Sequence, residues 1–319
     1  MSYFHPETLR RISRLDLRAK HVVEGFLSGL HKSRNFGNSV EFRQHRQYVP
    51  GDDPKNVDWK VWAKQDRLYV KQYDIDTNLR CTLLVDASPS MRYGYGPFTK
   101  YDYGCTIATS LAYLAMRQQD AVGCITFDKE TDSVLPARMK QSHLAAIVAT
   151  LELDDPVKTD AATKQEGKRE GAVPVEDALS HYKTLQPNLR ETLRKVAETI
   201  PRHGLVVLIS DLLMDRAGLF QGLNLLRSRN HDILILHVLD DDELDFTLGG
   251  PTRFEGLELP AMIRCDPRML HKGYMAALEE YLEEIRRGCF SAQTDYSLFR
   301  TSAPLDAALS AYLSRRMKR

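Results

Sequence analysis

The chain has 319 residues, with 44 Lys and Arg against 43 Asp and Glu and 43% hydrophobic residues. A net charge of +1 argues against a dedicated nucleic-acid or membrane-surface binder, since such contacts need a clear cationic excess. The length suffices for a large core without covalent staples, and one or two domains fit it.

The N-terminal stretch MSYFHPETLRRISRLDL carries charges where a signal peptide would need its apolar run, and no segment approaches the ~20 apolar residues of a membrane span. Cys81, Cys105, Cys124, Cys265 and Cys289 are scattered singly, which predicts reduced, buried thiols in a cytoplasmic protein. From Pro6 to about Leu30, apolar Leu9, Ile12, Leu15, Val22, Val23, Phe26, Leu27 and Leu30 recur at helical spacing, and the Gly and Asn cluster at 35–38 ends that helix. An extended segment follows from Val40 to Asn78, with a turn at Pro50-Gly51 and strand-like alternation in LYVKQYDID. Residues 1–80 hold 15 basic and 10 acidic side chains, the remainder 29 and 33, so overall neutrality conceals two surfaces of opposite sign.

From Cys81 onward, short apolar runs alternate with helical stretches. CTLLVD (81–86), VGCITF (122–127), LVVLIS (205–210) and DILILHVL (232–239) have the near-continuous apolar character of strands buried on both faces of a parallel sheet. Helices are predicted at about 102–118, 140–151, 189–200 and 216–229. This alternation defines a doubly wound, mostly parallel α/β sheet. Residues 152–176 read as a polar surface loop. Residues 240–259, with seven acids, one Arg and a Gly-Gly-Pro turn, read as an acidic hairpin able to face the basic N-terminal segment. The tail reads as a strand at Met262–Cys265, a long helix at about 267–288, a strand at Tyr296–Phe299 and a last helix at about 304–316. Three parts result: 1–79, an N-terminal helix with an extended segment; 80–240, the α/β domain; and 241–319, the hairpin with a C-terminal extension.

In an open α/β sheet, ligands sit beyond the carboxyl ends of the strands. Asp86 ends one buried run and is followed by Ser88 and Ser90; Ser210-Asp211 ends another. Carboxylate and hydroxyl oxygens without His or thiolate select a hard cation, Mg²⁺ or Mn²⁺. On spacing alone, the same residues could merely cap the following turn.

Asp86-x-Ser88-x-Ser90 after a buried strand, with Asp211 after a later one, resembles the metal-ion-dependent adhesion site of von Willebrand factor type A domains. The resemblance implies Mg²⁺ held by the two Ser and assisted by the two Asp, with a partner carboxylate in the open position. That family also uses a Thr before the helix preceding the fourth strand. Here Pro187 or Asn188 stands near that position, and Thr192 lies a helical turn late, so the implied ligand set is incomplete.

The N-terminal segment narrows the resemblance. Phe42-Arg43, then Arg46-x-Tyr48-x-Pro50-Gly51-Asp52-Asp53, then Val57-Asp58-Trp59-Lys60 and Ala63 resemble the prokaryotic "domain of unknown function 58" family, as does the tail from Asp295-Tyr296 to Tyr312-Leu313. The resemblance implies a von Willebrand type A-like domain that partners a MoxR-type AAA+ ATPase and a client protein as a non-enzymatic adaptor in protein maturation or complex assembly. Arg43, Arg46, Asp52, Asp53 and Asp58 could equally lock the segment onto the sheet domain through Arg–carboxylate pairs. Trp59 and Trp62, at i and i+3, are predicted to share a face and pack in the core. Neither a nucleotide-binding loop nor a G-x-S-x-G elbow is present. A metal-dependent hydrolase or phosphatase on the same carboxylates, and a metal-free interaction domain, remain the alternatives.

Overall fold

The computed structural model describes residues 9, 12–30, 42–50, 52, 57–65, 67–73, 79–94, 96, 98–128, 132–140, 142–154, 189–257, 262–307 and 309–310. The chain divides into two compact units, Gly29–Asn78 and the remainder, Met1–Ser28 with Leu79–Arg319.

Gly29–Asn78 contains β1 (Phe42–Gln47), α2 (Trp59–Gln65) and β2 (Tyr69–Tyr73). The two strands pair antiparallel with Gln47 opposite Tyr69, and Val57 bridges to Val70.

Helix α1 (Leu15–Leu30), which belongs to the larger unit as far as Ser28, buries Leu15, Ala19, Val22, Val23 and Phe26, the stripe expected of an amphipathic helix. Leu9 is helical but residues 12–14 are not, so the single helix expected from Pro6 to Leu30 is interrupted before Leu15. Arg18 fixes the unit's N-terminal part by donating to Thr106 Oγ1 at 3.0 Å and lying 4.7 Å over the Phe98 ring.

The central sheet contains β3 (Arg80–Asp86), β4 (Ala121–Phe127), β5 (Asp132–Arg138), β6 (Leu205–Ser210), β7 (Asp232–Leu239) and β10 (Asp295–Arg300), in the order β10-β7-β6-β3-β4-β5. All neighbours are parallel except β4 and β5. This is the 3-2-1-4-5-6 order of a doubly wound sheet, with one antiparallel edge, and it is the α/β, von Willebrand type A-like architecture that the sequence implies. The four apolar runs become β3, β4, β6 and β7 because each is buried on both faces.

Helix α3 (Lys100–Arg117) covers one face, where its Gly104 approaches Ile209 so closely that a Cβ would lie 3.1 Å from the Ile209 methyl. On the other face, Leu193 and Val196 of α5 (Leu189–Thr199), Leu219 and Leu223 of α6 (Arg216–Ser228) and Ile285 of α8 (Pro267–Ser291) pack with Leu84, Leu208 and Ile235. Helix α4 (His143–Leu153) follows β5, and α7 (Asp241–Asp245) follows β7.

Two expectations are corrected. Edge strand β5 has no counterpart among the apolar runs; its alternating, half-exposed residues and Pro136 suit a strand paired on one side only. The acidic stretch 240–259 is not a hairpin: Asp241–Asp245 is a short helix started by a capping box, with Asp240 accepting from Asp242 N at 3.1 Å and Glu243 accepting from Asp240 N at 2.9 Å. Only its end, β8 (Thr252–Glu255), pairs with β9 (Met262–Cys265). Among the described residues, this acidic helix forms ion pairs with Arg300, which binds Asp241 and Asp245, and with Lys100, which binds Glu243. All five cysteines are free, four of them buried. The loop expected at 152–176 lies outside the described residues beyond Asp154, and the last helix is described only at 306–307 and 309–310.

Candidate functional site

The chain passes from β3 to β4 on one side and later to β6 on the other, so the crevice beyond β3 and β6 is the topological switch point, where open α/β sheets place their ligands. Register pairs Val85 with Ile209, which sets Asp86 beside Ser210. After Asp86 the chain stays extended through Ser88 and tightens into a 3-10 turn at Pro89–Arg92, drawing Ser88 and Ser90 back over the strand end. After Ser210, Leu212 adopts φ 54°, which turns the chain sharply away while Ser210 Oγ accepts from Leu212 N at 2.9 Å.

Asp86, Ser88, Ser90 and Asp211 therefore meet, as their placement at strand ends implies, and all four are buried. Asp86 Oδ1 accepts from Ser88 N at 2.9 Å and Oδ2 from Ser210 Oγ at 2.5 Å. The Ser88 and Ser90 hydroxyls lie 3.0 Å apart. Asp211 Oδ1 accepts from Leu213 N at 3.2 Å.

The sequence gives no warning of the residue that dominates this site. Lys100, first residue of α3, is 0% exposed, and its Nζ donates to Asp211 Oδ2 at 2.8 Å and to Glu243 Oε1 at 2.7 Å. Burial and the positive end of a helix dipole both disfavour an ammonium there. Burial alone would lower its pKa, but the Asp211 and Glu243 carboxylates outweigh burial and raise it. Burial likewise opposes ionisation of Asp211, and the Lys100 ammonium overrides it, holding that carboxyl below its usual range. Asp86, without such a cation, is pushed up by burial and by the Asp211 charge. Glu243 is raised by burial despite Lys100. The one signal in the sequence for Glu243 is its place three residues after Asp240, the capping-box spacing.

His237, at the end of β7, supports the floor of the site. Its Nε2 donates to the Asp211 carbonyl at 2.8 Å, and its Nδ1 accepts from Tyr296 Oη at 2.8 Å. Burial lowers its pKa to about 4, keeping the ring neutral. Tyr281 donates to the Leu212 carbonyl at 2.8 Å.

These residues do not fit the divalent ion that the adhesion-site resemblance implies. Both oxygens of each Asp already accept a donor, and Asp211 Oδ2 faces the ammonium. An ion coordinated to that oxygen at the ~2.0–2.1 Å of Mg²⁺ would be pressed against a buried positive charge. Among the described residues no group of three or more His, Cys, Asp or Glu is arranged to hold a metal. Pro187 and Asn188 lie outside the described residues, and Thr192 is buried on α5.

The family model for the protein of unknown function DUF58 matches residues 44–281. The chain belongs to the DUF58 family. The uncharacterized protein Rv1480 of Mycobacterium tuberculosis is 27% identical over 192 residues, 57% of this chain and 61% of that protein, so the chain spans about three fifths of the curated relatives it matches. Among solved structures, the conserved hypothetical protein BatB from Bacteroides thetaiotaomicron is 15% identical, covering 76% of this chain and 100% of that one with a TM-score of 0.45. The SpRpn10 VWA domain is 11% identical, covering 73% of this chain and 94% of that one with a TM-score of 0.34.

The DUF58 match takes in most of the smaller unit, where the signature residues have local roles. Arg46 pairs with Asp52 at 2.6 Å, and Asp52 also accepts from Val49 N at 2.9 Å, closing the turn that carries Pro50. Tyr48 N donates to the Leu68 carbonyl. Asp58, buried, starts α2 by accepting from Val61 N at 3.3 Å. The Arg–carboxylate pair thus forms within the segment. Gly51, Asp53 and the Arg43 side chain lie outside the described residues. Trp59 and Trp62 do share a face, with rings edge to face at 6.1 Å, but they are 58% and 43% exposed and are not core residues. No helix of the described residues is long and apolar enough to cross a membrane.

Proposed function

We propose that this DUF58 chain is a non-enzymatic protein-interaction module, an adaptor that works with a MoxR-type AAA+ ATPase on a client protein in the cytoplasm, and that it docks through the carboxyl end of the central sheet without a metal ion. The observation that carries this reading is that the reactive-type side chains at the switch point are buried and committed to one another. Ser88 and Ser90 share a hydrogen bond, Asp86 is held by Ser88 and Ser210, and Asp211 is neutralised by Lys100. A hydrolase on these carboxylates needs a general base within reach of a water. His237, whose ring lies against the Asp211 carbonyl, has both nitrogens engaged. Such a cluster serves as a rigid floor that fixes the loops after β3, β6 and β7, and loops set on a rigid scaffold are the usual carriers of recognition. The ATPase partner is supported by the signature at 42–63 and by family membership.

Tandem purification of the tagged chain from its native host tests the adaptor role. Recovery of an AAA+ ATPase, weakened by Asp86→Ala, is the expected result. A phosphatase and esterase screen in Mn²⁺ tests the enzymatic alternative, and turnover abolished by Asp86→Ala or Asp211→Asn would overturn the proposal.

A further inference from the structure

We infer that Lys100 is the permanent cation of the switch-point site, a tethered ammonium on Asp211, one of the carboxylates that the adhesion-site resemblance assigns to a divalent metal, and that removing it lets Asp211 and Glu243 bind a metal instead. The placement itself calls for an explanation. A Lys at the first position of a helix, fully buried, opposes both the helix dipole and its own hydration. It could persist there only because two carboxylates from separate elements converge on it, Asp211 beyond β6 and Glu243 on α7. Tyr93, on the loop before α3, adds its ring face 5.9 Å from Nζ, and its carbonyl anchors the helix start by accepting from Lys100 N at 2.8 Å.

The ammonium does what a bound ion would do at this point. It neutralises Asp211, and it ties the loop after β6 to the segment after β7 through Glu243. Glu243 is held for that purpose: its other oxygen accepts from Asp240 N in the capping box, and the α7 segment is further fixed by Thr301 donating to Asp240 at 2.7 Å and by Arg300 on Asp245 at 2.7 Å. A lysine supplies one positive charge with no exchange, so the loops are locked at all metal concentrations.

Truncation to Lys100→Ala leaves two carboxylates, Asp211, which the Ser90 hydroxyl also contacts, and Glu243, with no cation between them. Two carboxylates and a hydroxyl are oxygen donors with net negative charge, and the space left by the lysine side chain admits water, which suits Mg²⁺ or Mn²⁺. The test is calorimetric titration with MgCl2 and MnCl2, with melting temperatures in metal and in EDTA, on wild type, Lys100→Ala and Lys100→Met. Wild type is expected to give no stoichiometric heat and the same melting temperature in EDTA as in millimolar metal. Lys100→Ala is expected to bind one ion at least about tenfold more tightly than wild type and to melt higher with metal; Lys100→Met, which fills the space without charge, should show a smaller response. One-to-one binding by wild type, or a folded Lys100→Ala that ignores both metals, would overturn the inference. If Lys100→Ala does not fold, Lys100→Met decides: one-to-one binding that wild type lacks sustains the inference, and a folded Lys100→Met that ignores both metals, or one-to-one binding by wild type, sinks it.

Discussion

Lys100→Met isolates the energetic role of the buried ammonium. The substitution keeps most of the side-chain volume and removes the charge, leaving Asp211 buried without its cation and Glu243 without its partner. Two hydrogen bonds are lost, at 2.8 and 2.7 Å, each between charged groups. Bonds of this kind contribute about 1.5–3 kcal/mol each. The Asp211 side chain is 1% exposed and cannot rehydrate, whereas Glu243 is 19% exposed and partly can. The expected loss is therefore about 3–5 kcal/mol, the range for breaking a buried pair from one side. Neutralising all three groups at once, as Lys100→Met/Asp211→Asn/Glu243→Gln, removes the unpaired charges and should recover more than half of that loss. Equilibrium urea unfolding followed by circular dichroism measures both variants. A single variant within about 1 kcal/mol of wild type, the level of an exposed pair, would refute the claim that this ammonium is buried and doubly paired.

Three further outcomes follow from the same structure. His237 stays neutral down to about pH 4 in the native state, against 6.5 unfolded, so the unfolded chain binds the extra proton between those values, and stability falls as pH drops through that window by up to about 3 kcal/mol. Asp86, whose carboxyl is raised, acts in the opposite sense, because the native state takes up its proton first and gains stability as pH falls toward the usual carboxylate range. Wild-type stability should accordingly change little between pH 7 and 5, and Asp86→Asn, by removing the opposing group, should steepen the acid-side loss; an unchanged slope in urea titrations would contradict this. Gly222→Ala would bring a Cβ within 2.7 Å of Leu193 Cβ at the contact of α5 with α6, an overpacking worth about 1–3 kcal/mol, and a melting temperature equal to wild type would count against that close approach. Arg300→Ala removes exposed pairs with Asp241 and Asp245 and should cost about 1 kcal/mol or less in the same unfolding assay.

The sheet was legible because strands buried on both faces write themselves as continuous apolar runs, as 205–210 and 232–239 do. Strand β5 was not, since DSVLPAR is paired on one side only and Pro136 reads as a break. The acidic run at 240–245 hid a helix start because the capping-box pair Asp240 and Glu243 is indistinguishable by composition from the acids around it. Asp86, Ser88, Ser90 and Asp211 were legible from their positions at strand ends, which topology brings together. Lys100 was not: it lies ten residues beyond Ser90, amid FTKYDYG, where a helix-starting Lys reads as solvated. Only the fold shows that two carboxylates, 111 and 143 residues further along the chain, close on its ammonium. The exposure of Trp59 and Trp62 was equally beyond the sequence, because i, i+3 spacing fixes a shared face without fixing what that face meets.

The most direct test of the account is diffraction from wild-type crystals grown in millimolar MnCl2, with data collected at the manganese absorption edge. The account predicts continuous density for the Lys100 side chain between Asp211 and Glu243 and no anomalous peak at the carboxyl end of the sheet. A manganese peak coordinated by Asp211, Ser88 and Ser90, with Lys100 displaced from Asp211, would contradict it.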